Sequence, residues 1–184
     1  MHITPDQPDP SLYIDRLADD DAFHREAAAW TLGEIGSPRA ARPLAGLLLR
    51  ELTSVERSGF VDHDEVVCAA AEAMRRIGTT EGLYALVKAL CVLSHAQGVE
   101  EATIVEIVDC IGEIGGPSAM REATDRVVQD AGKRHAGPGL QSVSRVLLSR
   151  LSLCGDAAIH TLRRLAIGGP DGIKPIAEHV CSRL

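Results

Sequence analysis

Cys91 and His95 stand four residues apart. On a helix that spacing sets a thiolate and an imidazole over one another, where they could share a metal ion. A metal site needs three or four ligands, and no second pair lies near in sequence, so the two read as a half-buried thiol beside a surface imidazole at a helix end. The run Asp19-Asp20-Asp21 offers carboxylates for acid–base work or for a cation. Placed just before an apolar helical stretch, it reads instead as a cap for the free N–H groups and positive end of that helix. The chain has no glycine-rich phosphate loop, no Gly-x-Ser-x-Gly and no zinc-type Cys-x-x-Cys. Catalytic, cofactor-binding and metal-binding residues are therefore not expected, nor is a cofactor.

The residues that gain meaning do so by repetition. Gly36, Gly78, Gly115 and Gly155 each close an apolar stretch, at intervals of 42, 37 and 40 residues. A period near 40 fits two-helix solenoid repeats. One residue before each glycine stand Ile35, Ile77, Ile114 and Cys154, and four before stand Leu32, Met74, Ile111 and Leu151. Seven and eight before stand Ala29 and Ala28, Ala71 and Ala70, Val108 and Ile107, Leu148 and Leu147. These offsets trace one face of a helix at 3.6 residues per turn. Each unit is then a helix A, a short turn at the glycine, and a helix B. Ser37 and Asp62, the latter with Glu65 at capping-box spacing, are expected to cap the helices that follow them, with Pro38, Gly116-Pro117 and Asp156 marking restarts.

Helix B has its own apolar positions, Leu44, Leu86, Ala123 and Leu162. Six past each glycine, with one residue deleted in the fourth unit, come Arg42, Tyr84, Arg121 and His160. Arg39, Glu81, Lys88, Asp125 and Arg164 stand on neighbouring turns. Equivalent positions of stacked repeats face the same way, so Arg42, Tyr84, Lys88, Arg121, His160 and Arg164 are expected to form a polar ladder on one wall. Arg and Tyr are common interface anchors, and Tyr84 is the only aromatic of the set. Trp30, six before Gly36 among alanines, is expected to pack in the core.

The segment AAAWTLGEIGSPRAARPLAGLL, Ala27 to Leu48, resembles HEAT-like repeats of the type found in phycobilisome lyases and in bacterial scaffold proteins, and the resemblance covers about Asp20 to Leu165. It implies an all-α, right-handed solenoid of about four HEAT-like repeats with capping helices, about ten helices in all. It also implies a concave wall built from the B helices. Such repeats serve adaptors and enzymes alike. Deoxyhypusine hydroxylases are similar in fold and hold iron with His-Glu dipeptides. None of the seven histidines here is followed by glutamate. Alkylpurine DNA glycosylases of HEAT-like helices line a basic groove with aromatics, whereas this chain has one Trp, two Tyr and two Phe.

Charge and composition narrow the classes further. With 184 residues, 45% of them apolar, the chain suits one domain, expected over residues 11–184 after a flexible leader over 1–10. A net charge of −7 argues against a general nucleic-acid binder. The charge divides into −11 over residues 1–118 and +4 over 119–184. The later bases, including Lys133, Arg134, Arg145, Arg150, Arg163 and Arg164, read either as a solvated face or as a docking patch for an acidic partner. No apolar run is long enough to span a membrane, the N-terminus does not look like a secretory signal, and five scattered cysteines suit a reduced, cytoplasmic setting. The expected function is a non-catalytic scaffold or adaptor that binds another protein or peptide segment on the B-helix face. The alternatives are a bilin lyase-like enzyme or accessory subunit, which needs a deep tetrapyrrole pocket, and a nucleic-acid-directed HEAT-like protein, which needs salt-dependent retention on DNA.

Overall fold

The computed structural model describes residues 8–58, 62–133 and 137–184. Their elements are α1 (Pro10–Arg16), α2 (Ala22–Ile35), a 3-10 turn (Pro38–Ala40) leading into α3 (Ala41–Ser58), α4 (Asp64–Ile77), α5 (Thr80–Leu93), α6 (Glu101–Lys133), α7 (Leu140–Ser152), α8 (Asp156–Gly168) and α9 (Lys174–Cys181). Helix α6 is two helices in one: the backbone leaves helical geometry at Gly116, ahead of Pro117. The A row is then α2, α4, the first half of α6 and α7, each packed on the next, and the B row is α3, α5, the second half of α6 and α8. Helix α1 lies against α2, and α9 against α7 and α8. These two short helices cover the ends of the stack, where a repeat has no neighbour to bury its apolar face. The protein is an all-α solenoid, with no strand among the described residues. No helix among them is long and apolar enough to cross a membrane.

Burial follows the predicted face. Leu32, Met74, Ile111 and Leu151 are all 0% exposed, and the flanking Ala28, Ala29, Ala70, Ala71, Ile107, Val108, Leu147 and Leu148 are buried with them. Small residues let the A helices approach closely: a Cβ on Gly33 would stand 2.9 Å from the Cα of Ala73, between α2 and α4.

The turns depart from expectation in instructive ways. Gly36 and Gly78 end α2 and α4 in the left-handed conformation, their N–H groups bonded to the carbonyls of Leu32 and Met74. Gly115 stays helical, and the break falls one residue later on Gly116 (φ 61°, ψ −156°). The cause is Pro117, whose ring disfavours helical geometry in the residue before it and suits the first turn of the helix it opens. In the fourth unit α7 ends at Ser152, so Gly155 (φ 78°) opens α8 where it was expected to close α7.

Capping was assigned correctly at one place and wrongly at two. Asp21 caps α2 by accepting the N–H of Phe23 at 2.9 Å. Ser37 precedes the 3-10 turn without making a side-chain cap bond. Asp62 lies one residue too early to cap α4, which begins after His63. Thr79 caps α5 instead, accepting from the N–H of Gly82 at 3.2 Å. Of the leader expected over 1–10, Pro10 already belongs to α1, capped by Asp9, and residues 1–7 lie outside the described residues.

Candidate functional site

The B row presents a stripe from each helix to one side. On α3, residues 42, 46, 49 and 53 share a face at helical spacing, and on α5 residues 84, 88 and 91 do so. The second half of α6 contributes Ser118, Arg121, Glu122, Asp125, Arg126 and Gln129, and α8 contributes His160, Thr161 and Arg164; together these line a polar depression of about 630 Å³. A second depression, of about 390 Å³, is lined by Leu49, Tyr84, Ala85, Val87, Lys88, Cys91 and Arg126 and is largely apolar. A third, of about 160 Å³, extends it along α3 through Leu49, Leu52, Thr53, Lys88 and Val92. Arg126 lines both large depressions, so the three form one surface running across α3, α5, α6 and α8.

Electrostatics distinguish this side from the A row. Every arginine of the A helices has a carboxylate partner: Arg25 with Glu51, Arg75 with Glu72 and Glu113, Arg76 with Glu72 and Glu34, Arg145 with Glu101, and Arg150 with Asp109. On the B side, Arg164 is paired with Asp125. Among the described residues, none of Arg42, Lys88, Arg121 and Arg126 has a carboxylate within ion-pair distance. Tyr84 stands at the rim of the apolar depression, 58% exposed.

Five of the six ladder residues therefore lie on the joined surface: Tyr84 and Lys88 at its apolar end, Arg121, His160 and Arg164 at its charged end. Arg42 is exposed two turns before Leu49 on the same face of α3, outside the depressions. The residue that joins the two ends, Arg126, was missed. Its signal was available, because it sits four past Glu122 and three before Gln129 on the exposed stripe of the same helix. Arg145, Arg150 and Arg164 are drawn into ion pairs between neighbouring helices, and Arg134 lies outside the described residues.

The other candidates resolve into structural roles. Helix α5 ends at Leu93, so His95 lies beyond the helix and is not stacked over Cys91. Its Nε2 reaches Asp130 on α6 at 2.7 Å, while Cys91 lines the apolar depression. In the aspartate run, Asp19 accepts the N–H of Asp21, and the backbone oxygens of Asp19 and Asp20 accept from the Arg25 guanidinium. Trp30 is not in the core as expected: it is 40% exposed, with the Arg76 guanidinium 5.5 Å from its ring centre. Ala28, Ala29 and Leu32 take the buried face of α2. That leaves Trp30 on the exposed flank towards α4.

One cluster of metal-ligating types exists among the described residues. Glu72, Glu106 and Cys110 place ligand atoms within 4.8 Å of one another. Both arginines that follow Glu72 bond its carboxylate, which holds it ionised and below the usual carboxylate range. Burial pushes the Cys110 thiol up, and its S–H points at Glu106 Oε1 at 3.8 Å. The charge in the cluster is thus balanced by Arg75 and Arg76, and the sulfur is held as a thiol, a poor ligand.

No curated protein matches the chain. The family model described as PBS lyase HEAT-like repeat matches residues 25–50 and 66–90. Each match begins in an A helix and ends in the B helix paired with it, α2 with α3 and α4 with α5. The two matches, and the same helix pairing carried on through α6, α7 and α8, support a HEAT-like repeat protein.

Proposed function

We propose that the chain is a non-catalytic scaffold that binds another protein through its B-helix side. The observation that carries this reading is the continuity of the surface through Arg126, which joins an apolar depression rimmed by Tyr84 to a charged one beside Arg121, His160 and Arg164. A surface that sets an apolar depression beside a charged one, carrying Tyr and Arg side chains, has the side-chain composition of a binding interface. The arginines of the A row are each paired with a carboxylate, whereas among the described residues Lys88, Arg121 and Arg126 on the B side are not. A cytoplasmic location belongs to the same proposal.

The test uses the full chain with a photo-crosslinking residue at position 129, in place of the exposed Gln129 on the charged depression, and, separately, at the exposed Phe23 of the A row. A partner trapped from 129 and not from 23, and lost when Arg42→Glu and Arg121→Glu are combined with Tyr84→Ala, supports the proposal. The triple variant must keep its helicity and melting temperature. Undiminished partner capture by that folded variant overturns it.

A further inference from the structure

The chemistry of this surface also describes what should lie on it. We infer that its occupant is an acidic peptide segment with one bulky apolar side chain and at least two carboxylates displaced to one side of it. This rests on the scaffold reading above.

The apolar end is built to take one side chain. Leu49 and Leu52 from α3 and Val87, Cys91 and Val92 from α5 give it hydrocarbon walls, and Tyr84 stands over it. Burying an aromatic or aliphatic anchor in such a pocket supplies the concentrated affinity typical of interface hot spots. Lys88 and Arg126 flank the same depression, so anionic neighbours of the anchor are favoured there and cationic ones repelled.

Beyond Arg126 the surface continues to Arg121, His160 and Arg164. Among the described residues, the three cations of this surface (Lys88, Arg121 and Arg126) have no carboxylate within ion-pair distance, which sets it apart from the A row, whose arginines are all paired. Carboxylates suit this stretch better than phosphates. Glu122 and Asp125 lie on the same floor and repel a doubly charged group more than a singly charged one.

Geometry sets the spacing. Packed helices lie roughly 8–10 Å apart, so the charged end lies about 10–20 Å from the anchor pocket on α5. That distance corresponds to about 7–13 residues of helix or 3–6 of extended chain.

The experiment selects random displayed peptides against the full-length chain and measures a synthetic representative of the enriched set. The expected peptides share one Leu, Ile, Phe, Trp or Met with two or more Asp or Glu on one side at that spacing. Affinity should fall at least about tenfold with Arg126→Glu and again with Tyr84→Ala. It should weaken as salt rises and return in part when the peptide's acids are exchanged for lysine against Arg126→Glu. Enriched peptides that bind at position 84 but lack acids overturn this inference and leave the scaffold reading standing. Peptides indifferent to Tyr84, Arg121 and Arg126 overturn both, as does a selection that enriches nothing. Tighter binding of an oligothymidine, or of a second copy of the chain, to the same residues would assign the surface to a different occupant and likewise overturn it.

Discussion

Arg25 and Glu51 join α2 to α3 through a two-pronged ion pair, with Arg25 Nε 2.9 Å from Glu51 Oε1 and Nη2 3.1 Å from Oε2. Both side chains are more than nine-tenths buried. Two further bonds, from Arg25 Nη1 to the backbone oxygens of Asp19 and Asp20, tie the same guanidinium to the loop after α1. One side chain thus fixes the A and B helices of the first unit and the cap that covers them. Removing Glu51 leaves the buried Arg25 guanidinium without its counterion, at a cost of about 3–5 kcal/mol, whereas removing Arg25 leaves Glu51 still 3.6 Å from Arg50. Arg25→Met combined with Glu51→Leu should cost distinctly less than the sum of the single changes. A double-mutant cycle by urea unfolding measures the difference, and strict additivity would show that the pair is not coupled.

Ile111 lies wholly buried on the first half of α6, in the row that meets α4 and α7. Ile111→Ala should lower stability by roughly 2–5 kcal/mol, through lost transfer energy and the cavity left behind. A loss under about 0.5 kcal/mol, the range of ordinary surface changes, would mean that the side chain is solvated.

The apolar face that contains Ile111 was legible from sequence because burial leaves a periodic trace, and a 3.6-residue period repeated in four units fixes both helix type and phase. The turns were less legible. Each is decided by competition between adjacent residues, as where Pro117 moved the break from Gly115 to Gly116. The ladder could be read only as register, since Tyr84, Arg121 and His160 are equivalent positions. Its continuity through Arg126 depends on how far two helices stand apart, which no periodicity encodes. Trp30 shows the same limit: its neighbours in sequence are buried, yet its own rotation on α2 points it to the flank beside Arg76.

Glu72 gives the fold a definite acid dependence. Its carboxylate accepts from Arg75 and Arg76, and these bonds hold it below its ordinary value of 4.5. A group whose folded value is depressed contributes stability above its unfolded value and loses it as pH falls through the folded one. Glu72→Gln should therefore destabilise the protein at pH 7, by about 2 kcal/mol as for hydrogen bonds to charged groups. The gap between variant and native chain should close as the pH drops below 4.5 and on through the depressed folded value. An equal gap at pH 7 and pH 2.5 in denaturant titrations would remove Glu72 from the acid response.

Gly116 adopts φ 61° and ψ −156°, a combination in a region that residues bearing a Cβ rarely enter. Gly116→Ala should cost about 1–3 kcal/mol in strain, although no atom obstructs the added methyl. Gly46 makes a matched control, since a Cβ there also meets nothing within 4 Å but the residue sits within α3. Replacing Gly by Ala in a helix interior favours the helix, so Gly46→Ala should raise stability by about 0.5–1 kcal/mol. Opposite signs for two identical chemical changes would isolate backbone conformation as the cause. Stabilisation by Gly116→Ala would instead mean that α6 runs straight through Pro117, and the third A and B helices would no longer be separate members of the two rows.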